Sequence, residues 1–145
     1  MQTLCTKNEM EIIIQTVRAV ASKREGFSEQ AGNIFAFTRE FHCLPFTCYL
    51  QVNEDLNLIL YRAYCTFTLR GETEMRFKEY ISKLNYQCPV GSFTYSREVD
   101  EFRYKNALAF WSERPTEEAI EVLVRISEAA LDEEILGLIK VHNEE

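Results

Sequence analysis

His42, Cys43 and Cys48 stand close together in the order H-C-x4-C. These are the residues whose types could hold a metal ion. Three soft ligands suit zinc, but a closed structural site needs a fourth. Cys65 or Cys88 would have to supply it through the fold. The plainer alternative is a turn histidine beside packed thiols. A cysteine nucleophile would need a base that stabilises its thiolate. His42 adjoins Cys43 in sequence, and neighbours along a strand point to opposite sides. His142 lies near the end of the chain, so no cysteine catalysis is expected. Glu117, Glu118, Glu121, Glu128, Asp132, Glu133 and Glu134 form an acidic run. Glu117–Glu121 and Glu128–Asp132 have the spacing that shares one helix face, and such a run reads as a solvated face. The chain has no Gly-rich phosphate loop, no G-x-S-x-G and no H-E-x-x-H. The expectation is a non-enzymatic protein with no cofactor.

A different chemistry is suggested by the aromatic residues. Tyr49, Tyr61, Tyr64, Phe93, Tyr95, Phe102 and Tyr104 crowd the strand-like segments. Tyrosine joins an apolar body to a polar tip, which suits protein interfaces. Tyr49, Tyr64, Tyr95 and Tyr104 are therefore candidate interaction residues, with core packing as the alternative for each.

The bulk properties limit the partners. The chain has 145 residues, 46% of them hydrophobic and 12% aromatic. This is enough to bury a core in one domain spanning 1–145. Its formal charge is −7. No basic cluster of the kind that grips nucleic acid or an anionic membrane surface stands out. Arg103 and Lys105 read as the wet face of a strand. No nucleic-acid or membrane partner is expected. The opening MQTLCTKNEM lacks the pattern of a secretory signal, and the cysteine count is five. An odd number without a signal argues against a disulfide framework. A cytoplasmic location with reduced thiols is expected.

The elements that must position these residues follow from periodicity. Thr6-Lys7-Asn8-Glu9 is a capping box. Met10, Ile13, Ile14, Val17, Val20 and Ala21 then give one apolar helical stripe ending before Gly26. Residues 26–33 read as a loop. Residues 34–40 alternate weakly as a strand, broken by 42–45. Phe46, Cys48, Leu50 and Val52 alternate with Thr47, Tyr49 and Gln51 in a clear strand. Residues 57–69 follow as its hairpin partner across the turn Asn53-Glu54-Asp55. A second helix, capped by Thr73, carries Phe77, Tyr80, Ile81 and Leu84 inward. Two more strands surround the acidic turn 97–101. Pro115 and Thr116 then start a last helix over about 117–140, apolar on more than one face and so expected to bury more than one face. The order α-β-β-β-α-β-β-α implies an α+β domain, an antiparallel sheet with helices packed on it.

That order, with Leu84-Asn85 closing a helix, Gly91-Ser92-Phe93-Thr94-Tyr95 opening a strand, the strand Glu101 to Leu108 and the hairpin VNEDLNLILYRAYCTF, resembles the YbjN-like family. That family is labelled a bacterial sensory transduction regulator and is similar in fold to type III secretion chaperones. The resemblance covers about residues 8–140, while the tract HCLPFTC departs from it. It implies an acidic, cytosolic homodimer that works as a chaperone-like or regulatory module binding another polypeptide. The breadth of the last helix's apolar coat is a separate reason to expect self-association. In this setting Asn85 would close the helix carbonyl end and Gly91 would admit the chain to the sheet without a clash. The rival reading is a small-molecule or metal-binding sensor that uses a helix–sheet pocket or His42, Cys43 and Cys48.

Overall fold

The computed structural model describes residues 6–143, so Cys5 lies outside the described residues. Helix α1 (Lys7–Ser22) precedes four strands, β1 (Ser28–Gln30), β2 (Ile34–Phe41), β3 (Leu44–Asn53) and β4 (Leu58–Thr66). Helix α2 (Gly71–Gln87), strands β5 (Ser92–Ser96) and β6 (Glu101–Ala109) and helix α3 (Glu117–Asn143) follow. The strands form one sheet in the order β1-β2-β3-β4-β6-β5, and every neighbouring pair is antiparallel. The fold is α+β, as the alternation of apolar residues implies. The added feature is β1. Its three residues are all exposed and carry no apolar alternation, so the segment was expected to be a loop. Backbone pairing of Ser28 with Ala36 and Gln30 with Ile34 makes it a strand.

Three further boundaries differ from the sequence reading. The break at 42–45 shrinks to a two-residue turn, since Phe41 already pairs with Leu44. Pro45 sits inside β3, opposite Glu40, at the end where β4 has not begun to pair. There its missing N–H leaves no ladder bond unmade. Helix α2 starts at Gly71 after an Arg70 N-cap without a side-chain bond, so Thr73 is inside the helix and caps nothing. Asn85 does not close that helix either. Its side-chain amide donates to the Phe93 carbonyl and its oxygen accepts from the Phe93 N–H, both at 2.7 Å. It thus occupies the free edge of β5 like one peptide of an extra strand.

All three helices pack on one face of the sheet. Helix α3 lies between α1 and α2 and covers β2, β4 and β6. Ile120, Leu123, Val124, Leu131, Ile135 and Leu138 of α3 are buried. The broad apolar coat is therefore mostly spent within the chain. Only Val122, Ile126 and Leu136 remain exposed among its large apolar residues, which weakens that argument for self-association. Gly137 allows α2 to approach, because a Cβ there would collide with the Tyr80 ring and hydroxyl. The core face of the sheet is aromatic. Phe93, Phe102, Tyr104 and Tyr61 lie in edge and stacked contacts 4.9–6.3 Å apart.

The acidic face of α3 is not simply solvated. Arg24 at the end of α1 lies 2.7 Å from Glu121 and 3.7 Å from Glu128, and Arg39 of β2 lies 2.6 Å from Glu128. Lys23 pairs with Glu117 at 3.0 Å. The i, i+4 spacing of these carboxylates places them over one seam, where they tie α3 to α1 and β2. Glu128 is largely buried there, and Arg24 and Arg39 also stack over Phe37 and Phe41.

Candidate functional site: the uncovered face of the sheet

The face of the sheet opposite the helices has no covering layer among the described residues. Strand parity decides which residues stand on it. Ser28, Ala36, Tyr49, Arg62, Lys105 and Ser92 form one cross-strand row. Thr38, Thr47, Tyr64, Arg103 and Thr94 form the next. Tyr49 and Tyr64 meet diagonally with ring centroids 5.5 Å apart. The Arg103 guanidinium lies over the Tyr64 ring at 5.6 Å while its Nε donates to Glu101 at 2.8 Å. Beside Tyr64 a shallow groove of 810 Å³ runs from Thr66 and Thr47 past Thr38 to Lys23, Arg24 and Glu25 at the end of α1. Leu58 and Ile34, both half-buried, add apolar surface towards the far end.

The four tyrosines proposed from sequence separate into two pairs. Tyr49 and Tyr64 are half-buried on the open face. Tyr104 is fully buried on the core face, so it is no part of a free surface. Burial pushes its phenol up to about 12. Tyr95 is on the core side as well. Its hydroxyl accepts from the Leu69 N–H at 2.9 Å and donates to the Phe67 carbonyl at 3.1 Å, pinning the link between β4 and α2. Residue type alone could not separate these pairs. Burial also removes Cys48 and Cys65 from thiolate chemistry, since it pushes each thiol up to about 11.

His42, Cys43 and Cys48 are not brought together. The His42 ring nitrogen lies 3.0 Å from the Asp132 carbonyl and 3.3 Å from its carboxylate, fastening the β2–β3 turn to α3. Cys48 is buried in the core, where it accepts the Tyr61 hydroxyl at 3.5 Å. Cys43 is exposed. Among the described residues no three His, Cys, Asp or Glu side chains converge as a metal site. His42 and Cys43 are both left-handed, with φ of 50° and 69°, as a two-residue hairpin turn requires. They edge an apolar pocket of 290 Å³ that also meets Phe67, Phe77, Ile135 and His142. It is the helix–sheet pocket of the rival reading. His142, which sequence places near a chain end, lines it from the last turn of α3.

Sequence reasoning passed over Arg62. It neighbours Tyr49 across one strand pair and Lys105 across the other. Only the register reveals this, because β4 pairs with β6 across the intervening helix α2 and strand β5.

The fold has a solved counterpart. The crystal structure of YbjN, described as a candidate transcription regulator from E. coli, superposes with a TM-score of 0.65. The match covers 94% of this chain and 93% of that one at 16% sequence identity. The chain has a YbjN-like fold. No family model matches the sequence, and no curated protein matches it. No helix among the described residues is long and apolar enough to cross a membrane.

Proposed function

We propose that the chain is a non-enzymatic protein-interaction module of the YbjN-like family. It is a chaperone-like or regulatory protein of the bacterial cytoplasm, and its uncovered sheet face receives a segment of another polypeptide. The observation that carries this reading is the uncovered face itself, with Tyr49 and Tyr64 in contact at its centre and a groove beside Tyr64. Aromatic residues with polar tips, set on a rigid sheet, offer contact area at little cost in side-chain entropy. The regulator description of YbjN and the resemblance of the fold to secretion chaperones favour the same class.

Affinity capture with the wild-type chain and two variants tests it. A stoichiometric partner lost with Tyr49→Ala/Tyr64→Ala, yet retained with Tyr86→Ala, supports the reading. Tyr86 is 92% exposed on α2 and serves as the control. A partner that ignores the open-face variant refutes the assignment of the surface. The chaperone resemblance also implies a homodimer. A mass that stays near 17.0 kDa at all concentrations in light scattering would remove that part.

The helix–sheet pocket supports a second reading, a small-molecule sensor. Its 290 Å³ is bounded by Phe67, Phe77, Ile135 and Leu138, which suits a compact apolar ligand near the lower size limit of such sites. A ligand that raises the melting temperature of the wild type but not of Leu138→Trp would establish it.

A further inference from the structure

One corner of the uncovered face gathers positive charge in an acidic protein. Arg62 and Lys105 are direct cross-strand partners, and Arg103 stands one row away on the same face. Like charges placed directly opposite each other disfavour the sheet. Neither Arg62 nor Lys105 has an ion-pair partner among the described residues. The one carboxylate in contact with the group is Glu101, which engages Arg103. The three cations border a cavity of 320 Å³, with the Ser92 and Thr94 hydroxyl residues on its β5 side and no carboxylate in its lining.

We infer that this cavity holds the phosphate of a nucleoside monophosphate whose base lies on the neighbouring tyrosines of the same face. Three cations less one carboxylate leave an excess of two positive charges, which a phosphate monoester matches and a single carboxylate does not. Hydroxyls and guanidinium groups are the donors that phosphate oxygens take. The row continues from Lys105 through Arg62 to Tyr49, and two strand spacings amount to roughly 10 Å. A phosphate at the Lys105 end thus places the base over Tyr49, on the ring pair that Tyr49 makes with Tyr64. Aromatic side chains on a sheet surface hold bases by stacking, with little dependence on which base is offered. The cavity is of the size that small ligands fill. This site needs no polypeptide partner, so it goes beyond the protein-binding reading and stands or falls separately.

Calorimetric titration of the full chain at low salt with AMP, adenosine, inorganic phosphate and a phosphoserine peptide tests it. AMP should bind at one site per chain and more tightly than either adenosine or phosphate. Arg62→Ala and Lys105→Ala should each weaken AMP about tenfold, the usual effect of losing a charge-assisted hydrogen bond. Their melting temperatures should stay level or rise, since each substitution relieves a like-charge pair. Tyr49→Ala should weaken AMP about tenfold through lost stacking and leave phosphate binding unchanged. A phosphorylated single-stranded oligonucleotide that binds more tightly than AMP, with the same loss in Arg62→Ala, would assign the same chemistry to a strand. No AMP binding at millimolar concentration would overturn the inference. So would AMP binding no tighter than phosphate, or a phosphoserine peptide preferred over AMP.

Discussion

The two faces of the one sheet carry the same residue types and treat them in opposite ways. On the core face Tyr61 and Tyr104 are fully buried, Phe102 stacks on Phe93, and a polar side chain can reach a partner across the helix layer. Asn106 shows this: it interrupts the apolar row of β6 and bonds the Ser127 hydroxyl at 3.2 Å, while Ser127 in turn donates to the Leu123 carbonyl at 2.7 Å. On the other face Tyr49 and Tyr64 stay partly wet, Arg62 and Lys105 have no ion-pair partner among the described residues, and threonines stand in the neighbouring row. One residue of parity separates Tyr64 from Cys65 and Arg103 from Tyr104. The difference teaches that a tyrosine's role here is decided by the strand position it holds.

The comparison breaks most visibly by truncating one aromatic on each face. Phe102→Ala should cost about 3–5 kcal/mol of stability in denaturant unfolding, the range for a buried large aromatic. Tyr64→Ala should cost about 1 kcal/mol or less, because it loses cross-strand contact alone. Equal losses would mean that the open face is a second core.

Gly91→Ala should come next. The position has φ of +74°, and an added Cβ would meet the Tyr104 ring and hydroxyl. The left-handed backbone costs a side chain about 1–2 kcal/mol before the collision is counted. A smaller loss follows from Asn85→Ala, about 1–2 kcal/mol, since both polar groups of Phe93 at the β5 edge lose their partner. The measurement should show a greater loss than Asn143→Ala, an exposed site at the end of α3.

Acid sharpens the contrast from another direction. The Arg70 hydrogen bond holds the Asp100 carboxyl below its ordinary value, and the Lys78 hydrogen bond does the same for Glu74. Depressed carboxylates add stability above their unfolded values, 3.8 and 4.5 here, and that stability is lost as pH falls through the lower folded values. Both groups lie around the start of α2 and the β5–β6 turn. Asp100→Asn and Glu74→Gln should therefore flatten the acid side of the stability profile. Near neutrality, where the intact carboxylates contribute, both substitutions should lower stability.

Much of the helix layer was legible in the sequence, because its apolar residues repeat at helical spacing: Met10 to Ala21, Phe77 to Leu84 and Ile120 onward are the buried stripes observed. The strands from Phe46 and from Glu101 were legible through their alternation. Strand β1 was not, since backbone pairing with β2 creates it and its side chains record nothing. Thr73 misled because a cap residue and an early helical threonine look alike locally. The acidic run of α3 misled because its partners, Arg24 and Arg39, lie elsewhere in sequence. The candidate site was half legible. Tyr49 and Tyr64 came with Tyr95 and Tyr104, and the register that sets Arg62 between Tyr49 and Lys105 depends on pairing across a helix and a strand.

Hydroxyl-radical footprinting of the dilute protein, read tyrosine by tyrosine by mass spectrometry, tests the central claim most directly. Tyr49 and Tyr64 should label readily while Tyr61 and Tyr104 stay protected. Protection of Tyr49 and Tyr64 to the level of Tyr61 would contradict the account, because the face assigned to binding would then be covered within the protein itself.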